Sequence, residues 1–257
     1  MSEILPEADA GAPGPVAELL RRSGWALVGI AAATVLVELG AYAAGRILGI
    51  GPKASALAAL ATAAVWTALA APAAAAGPRR PLHALCRGGV VADASAVTLI
   101  VLWLIARHPQ TAQPYVTFLA AVKIYCTLAA MALAAVAVVL CARRGAGRHI
   151  LAVGTAVVLV LLLSSLLWAG IPLAVAPPEA RTRVAAVALW INPFCSIGAA
   201  VVAQTDFVWT RYGMMYRLNS VCDYPTPNVP WYAATVCCLC VAGIAGAAGF
   251  LRHRGPD

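Results

Sequence analysis

The stretch YVTFLAAVKIYCTLAAMALAAVAVVLCA, Tyr115 to Ala142, carries one charged side chain, Lys123, and is apolar on every face of a helix. A helix with no polar face finds no place at the surface of a water-soluble domain. The stretch also exceeds the roughly 20 residues needed to cross about 30 Å of hydrocarbon. It therefore reads as a membrane span, and Arg143, Arg144 and Arg148 mark where it leaves the bilayer.

Outward from this segment the pattern repeats. Apolar runs cover 24–47, 55–76, 89–106, 150–176, 184–203 and 231–251, separated by short segments that hold most of the charge. Hydrophobic residues make up 62% of the 257 and charged ones 11%, against about 25% charged in soluble domains, so lipid is the solvent for most of the chain. The fold class expected is an all-α, polytopic transmembrane helix bundle of six or seven spans over 16–252. Residues 1–15, acidic and rich in Pro, Gly and Ala, form a disordered tail without the basic start of a signal peptide. Val16 to Ser23 reads as a short interfacial helix.

The uncertain count lies at 184–203. Asn192-Pro193 removes a helix hydrogen bond and sets an amide inside an apolar run, which fits either a kinked span or a re-entrant pair of half-helices. The polar segment after it, Gln204 to Pro230, carries Trp209, Tyr212, Tyr216 and Tyr224 and leads to Trp231, a composition suited to the membrane interface.

Net charge is +8, and sixteen of the eighteen basic residues are Arg, spread over the connecting segments. Nucleic-acid binding calls for one continuous basic face, so no nucleic-acid partner is expected. The charges set topology instead. With the N-terminus in the cytoplasm, Arg21, Arg22, Arg79, Arg80, Arg87, Arg143, Arg144 and Arg148 lie inside, against Arg46, Lys53 and Arg107 outside, eight to three over the first five spans. A multi-pass protein of the plasma (inner) membrane, N-terminus inside, is the expectation. Beyond the fifth span the count ties, because a crossing or a re-entry at 184–203 merely exchanges Arg211 and Arg217 for Arg252 and Arg254.

No catalytic residue, cofactor or metal is assigned, and an enzymatic role is not expected. His83, His108, His149 and His253 all lie at span ends, away from where axial haem ligands would sit. There is no G-x-S-x-G turn, no H-E-x-x-H helix and no phosphate-binding G-x-x-x-x-G-K-[ST] loop. Of the eight cysteines, Cys237, Cys238 and Cys240 are inside the last apolar run, where cysteine acts as a small hydrophobe; Cys195 and Cys222 would bridge only if both met an oxidising compartment.

Charged groups within apolar runs are costly and mark function or packing. Glu38 lies roughly 9 to 13 Å from the outer end of its span and Lys123 about 12 Å from that of its own, depths that suit a buried ion pair or a transport path. Asp93 lies about 6 Å from the cytoplasmic end of its run, within reach of the headgroups or of Arg87.

The segment Trp190-Ile191-Asn192-Pro193-Phe194, an Asn-Pro break followed by a polar loop and one last span, resembles the permease subunits of type-2 ABC exporters. The resemblance runs over nearly the whole chain. It implies that Val16 to Ser23 is the interfacial helix, Pro78 to Arg87 a coupling segment through which Arg79, Arg80 and Arg87 meet a separate ATP-binding subunit, and Val184 to Ala203 the re-entrant element. It further implies a homo- or hetero-oligomer around a central path braced by Glu38 and Lys123, with Asn192, Pro193 and Phe194 shaping the outer gate. Two other classes fit the composition: a membrane scaffold or accessory subunit docking through Gly243, Gly246 and Gly249, and an ion-coupled carrier using Glu38 or Asp93.

Overall fold

A computed structural model describes residues 15–78, 80–142, 145–165, 175, 177–201 and 230–254. Among them eight helices occur: α1 (Pro15–Ile47), α2 (Pro52–Ala76), α3 (Pro81–Ile105), α4 (Phe118–Leu140), α5 (Ala146–Leu163), α6 (Pro178–Trp190), α7 (Pro193–Val201) and α8 (Ala233–Arg254). Six of them, α1 to α5 and α8, are long and apolar enough to cross a membrane. The protein is an all-α polytopic bundle.

α2 and α4 form its centre, with α3 beside both, while α1, α5 and α8 lie at the periphery. Composition explains the arrangement. Ala59, Ala63, Ala64, Ala68 and Ala71 give α2 a surface without bulk, so its neighbours approach closely and pack Leu102, Ile124, Leu128 and Met131 around it. At Gly88 of α3 a Cβ would overlap Val136 Cγ2 of α4, so any larger residue forces the Val136 side chain to shift. Leu36, Ile100, Val153, Val157 and Ile244 face outward, as expected where lipid is the solvent. Gly145, at φ 94°, takes the left-handed turn that starts α5.

The helices differ from the sequence reading at several ends. α1 runs unbroken for 33 residues, so Val16 to Ser23 continue the helix ahead of the first span, which begins at Gly24, instead of forming a separate helix. α3 begins at Pro81, a residue suited to the first helical turn, and its Ala84 and Gly88 are buried. The coupling segment Pro78 to Arg87 is therefore mostly the start of α3. α5 begins at Ala146, four residues before the expected start of its run. The tail 1–14, and the loop 202–229 with its aromatic belt, lie outside the described residues.

Neighbouring helices settle the course of the chain. The Thr127 hydroxyl of α4 meets that of Thr235 of α8 at 3.0 Å, and farther along both helices Cys141 Sγ reaches the Ala245 carbonyl at 3.0 Å. α4 and α8 are therefore parallel. α5 starts where Arg148 donates to the Pro78 carbonyl beyond the end of α2 (2.8 Å). It ends where Asn192 donates to the Leu163 carbonyl (3.2 Å), just ahead of α7, whose Ser196 accepts from the Ala234 amide at the start of α8 (3.2 Å). The chain thus leaves α5 and enters α8 on one face. α6 and α7, bent by 80° at their junction, make no net crossing between them. Six crossings place the last turn of α8 and the first turn of α1 on the same side, called here the N-terminal face.

Candidate functional site

Glu38, in the interior of α1, is fully buried at 0% exposure. Ser95 of α3 donates its hydroxyl to Glu38 Oε1 at 2.6 Å, with the Val91 carbonyl as its other acceptor at 3.1 Å. The buried hydroxyl of Thr98, one helical turn along α3 from Ser95, faces the same carboxyl, outside strict hydrogen-bond geometry. About one turn before Glu38, Thr34 donates to the Ile30 carbonyl (2.8 Å) and accepts from Trp66 Nε1 of α2 (3.0 Å). Together these side chains form a polar seam where α1, α2 and α3 meet. A seam of hydroxyls around one carboxyl can bind and pass a proton or hold the helices in register; it offers no activated nucleophile.

The expected Glu38–Lys123 pair does not form. α1 packs against α2 and α3, so α3 supplies the partner of Glu38, while Lys123 on α4 points the other way and lies over the Trp231 ring, 5.4 Å from its centre. Equal depth brought the two residues to the same level but to different sides of the bundle. Asp93 is likewise corrected. Because α3 starts at Pro81, Asp93 stands mid-helix, about 18 Å from either end. It accepts from the Tyr125 hydroxyl of α4 at 2.8 Å on the outer surface, with no bond to Arg87.

Asn192 and Pro193 build the sharp junction. Pro193, lacking an N–H, opens α7 without an orphaned donor. Asn192, 0% exposed, accepts through Oδ1 from the amides of Phe194 (2.8 Å) and Cys195 (3.4 Å), and donates through Nδ2 to the Leu163 carbonyl and to Ser165 Oγ (2.8 Å). One amide thus caps α7 and ties it to the end of α5. Ile197, Ala200 and Val201 of α7 then enter the bundle core. Phe194 is half-buried beside this cap.

On the N-terminal face, Arg80 is exposed as the residue before α3, Arg87 is half-buried two turns inside that helix, and Arg79 lies outside the described residues. The residue that joins the α2–α3 and α4–α5 turns is Arg148, which the sequence reading had used only as a topology signal; its 5% exposure and its bond to Pro78 are tertiary facts. Cys195 is a buried free thiol, and Cys222 lies outside the described residues. Cys237 and Cys240 have C-x-x-C spacing, but both are exposed on the outer side of α8, and among the described residues no three His, Cys, Asp or Glu side chains gather for a metal.

No protein-family model, curated protein or solved structure matches this chain.

Proposed function

We propose that this chain is the membrane-spanning permease subunit of an ABC-type exporter, driven by a separate ATPase chain. The observation that carries the reading is the Asn192-capped, 80° break between α6 and α7, which sits on the face opposite the N-terminus directly before the last span. Such an element leaves backbone at membrane depth only where protein or a cavity surrounds it, as at a translocation path. A second permease chain would complete that path. On the N-terminal face the α2–α3 and α4–α5 turns, bound through Arg148 and Pro78 and flanked by Arg80, form the surface on which the ATPase would press. In this reading the turns themselves replace a separate coupling helix.

The test is an affinity pull-down of the detergent-solubilised protein with mass spectrometry and an ATPase assay. A stoichiometric nucleotide-binding chain, retained by the native protein and lost when Arg79, Arg80 and Arg87 become Ala, is the expected result. Recovery of other membrane subunits alone would favour a scaffold role and overturn the permease reading.

The fully buried Glu38 carboxyl, set among the Ser95 and Thr98 hydroxyls, favours a second reading, an ion-coupled carrier. Infrared difference spectra would then show a protonated-carboxyl band that shifts in D2O and vanishes in Glu38→Gln. A Glu38 band that does not exchange sinks that reading.

A further inference from the structure

A groove of about 740 Å³ opens on the outside of the bundle between α4 and α8, with Pro81 and Leu85 of α3 at one end. Its walls are Leu133, Ala137 and Leu140 from α4 and the stretch of α8 from Leu239 to Phe250. The latter measures about 16 Å at 1.5 Å per residue, half the hydrocarbon thickness of about 30 Å. The groove lies in the half nearer the N-terminal face, since α4 ends there and Arg148, at the start of α5, also lines it. It therefore has the length of one leaflet and is apolar along its length, with a guanidinium at its headgroup end.

That guanidinium is unusual in its environment. Arg148 is 95% buried by the protein, its single hydrogen bond among the described residues runs from Nη1 to the Pro78 carbonyl, and Nε has no partner. No carboxylate among the described residues pairs with it. A guanidinium so placed carries its charge without an anionic partner among the described residues, and a ligand that carries negative charge and arrives with an apolar tail complements both ends of the groove.

We propose that this groove binds one anionic phospholipid of the leaflet at the N-terminal face, its phosphate against Arg148 and an acyl chain along Gly243, Gly246 and Gly249. The glycines leave the space that the chain occupies: a Cβ at Gly243 or Gly246 would meet nothing within 4 Å. A transmembrane helix from a second copy fits less well, because it would run through both leaflets and would set apolar side chains against the Arg148 guanidinium.

The experiment is native mass spectrometry of the full chain released from nanodiscs of phosphatidylglycerol and phosphatidylcholine in equal amounts. The native protein is expected to retain one phosphatidylglycerol with about fivefold preference, the effect of one interfacial cation near 1 kcal/mol. Gly246→Leu fills the groove without touching the core and should abolish retention with an unchanged melting temperature. Arg148→Lys keeps the charge and should retain the preference in part, and inorganic phosphate should not compete. Equal retention of both lipids, retention undiminished in Gly246→Leu, or displacement by phosphate alone would each overturn the proposal. So would a Gly246→Leu variant that loses a dimer while keeping its lipid, since the groove would then be an interface between copies.

Discussion

Ser95 donates the 2.6 Å hydrogen bond to the Glu38 carboxyl, so removing it takes the main donor from an acid at 0% exposure. Ser95→Ala should destabilise the protein by about 1–3 kcal/mol, the cost of an orphaned buried polar group, measured by SDS unfolding in mixed micelles. The double variant Ser95→Ala with Glu38→Leu should recover most of that loss, because both ends of the interaction are then apolar. Recovery of nothing would mean that Glu38 itself is held by groups other than Ser95. Asn192 lies at the other extreme, with all its amide atoms engaged. Asn192→Leu should cost about 2–4 kcal/mol, the cap of α7 contributing near 1 and the bonds to Leu163 and Ser165 the remainder. That Glu38 and Asn192 matter was legible from a charge and an amide inside apolar runs. Their partners were not, since depth along a helix is a sequence property while the direction a side chain faces depends on which helix packs there.

Close helix crossings set the limits of substitution at the scale of the elements. Gly88→Ala forces its methyl into Val136 and should cost about 1–3 kcal/mol. Gly154→Ala, on an open face of α5 with nothing within 4 Å, should be neutral or stabilising by up to about 1 kcal/mol through helix propensity. Thermal unfolding of the two variants in detergent compares them directly, and equal melting temperatures would refute the packing assigned to α3 and α4. The spans themselves were readable because each is a long apolar run whose hydropathy is local. Their ends moved where a boundary rested on charge: Arg87 reads as loop, yet Ala84 and Gly88 on either side of it bury against neighbours and draw it into α3. In the same way the helix of α1 continues through Val16 to Ser23, ahead of the span that begins at Gly24.

For the whole molecule, the parallel run of α4 and α8 requires the start of α1 and the end of α8 on one side of the membrane. Cysteine labelling with an impermeant reagent, using single cysteines placed at Ser2 and at Asp257 in a cysteine-free background, should mark both sites from the same side; labelling from opposite sides would mean that α6 and α7 cross. Charge counting could not decide this, because re-entry and crossing exchange two basic pairs of equal size. By itself the sequence determined that lipid solvates this chain, that its long apolar runs build helical spans, and that the Asn192-Pro193 break is a special point, because transfer from water to hydrocarbon and the loss of a backbone donor act residue by residue. Only the tertiary structure decided that α5 ends and α8 begins on one face beside the break, that Glu38 belongs to Ser95 rather than Lys123, and that Arg148 lies at the head of an apolar groove. Each of those outcomes depends on which helices are neighbours, and that is set by the close packing of small side chains distant in the chain.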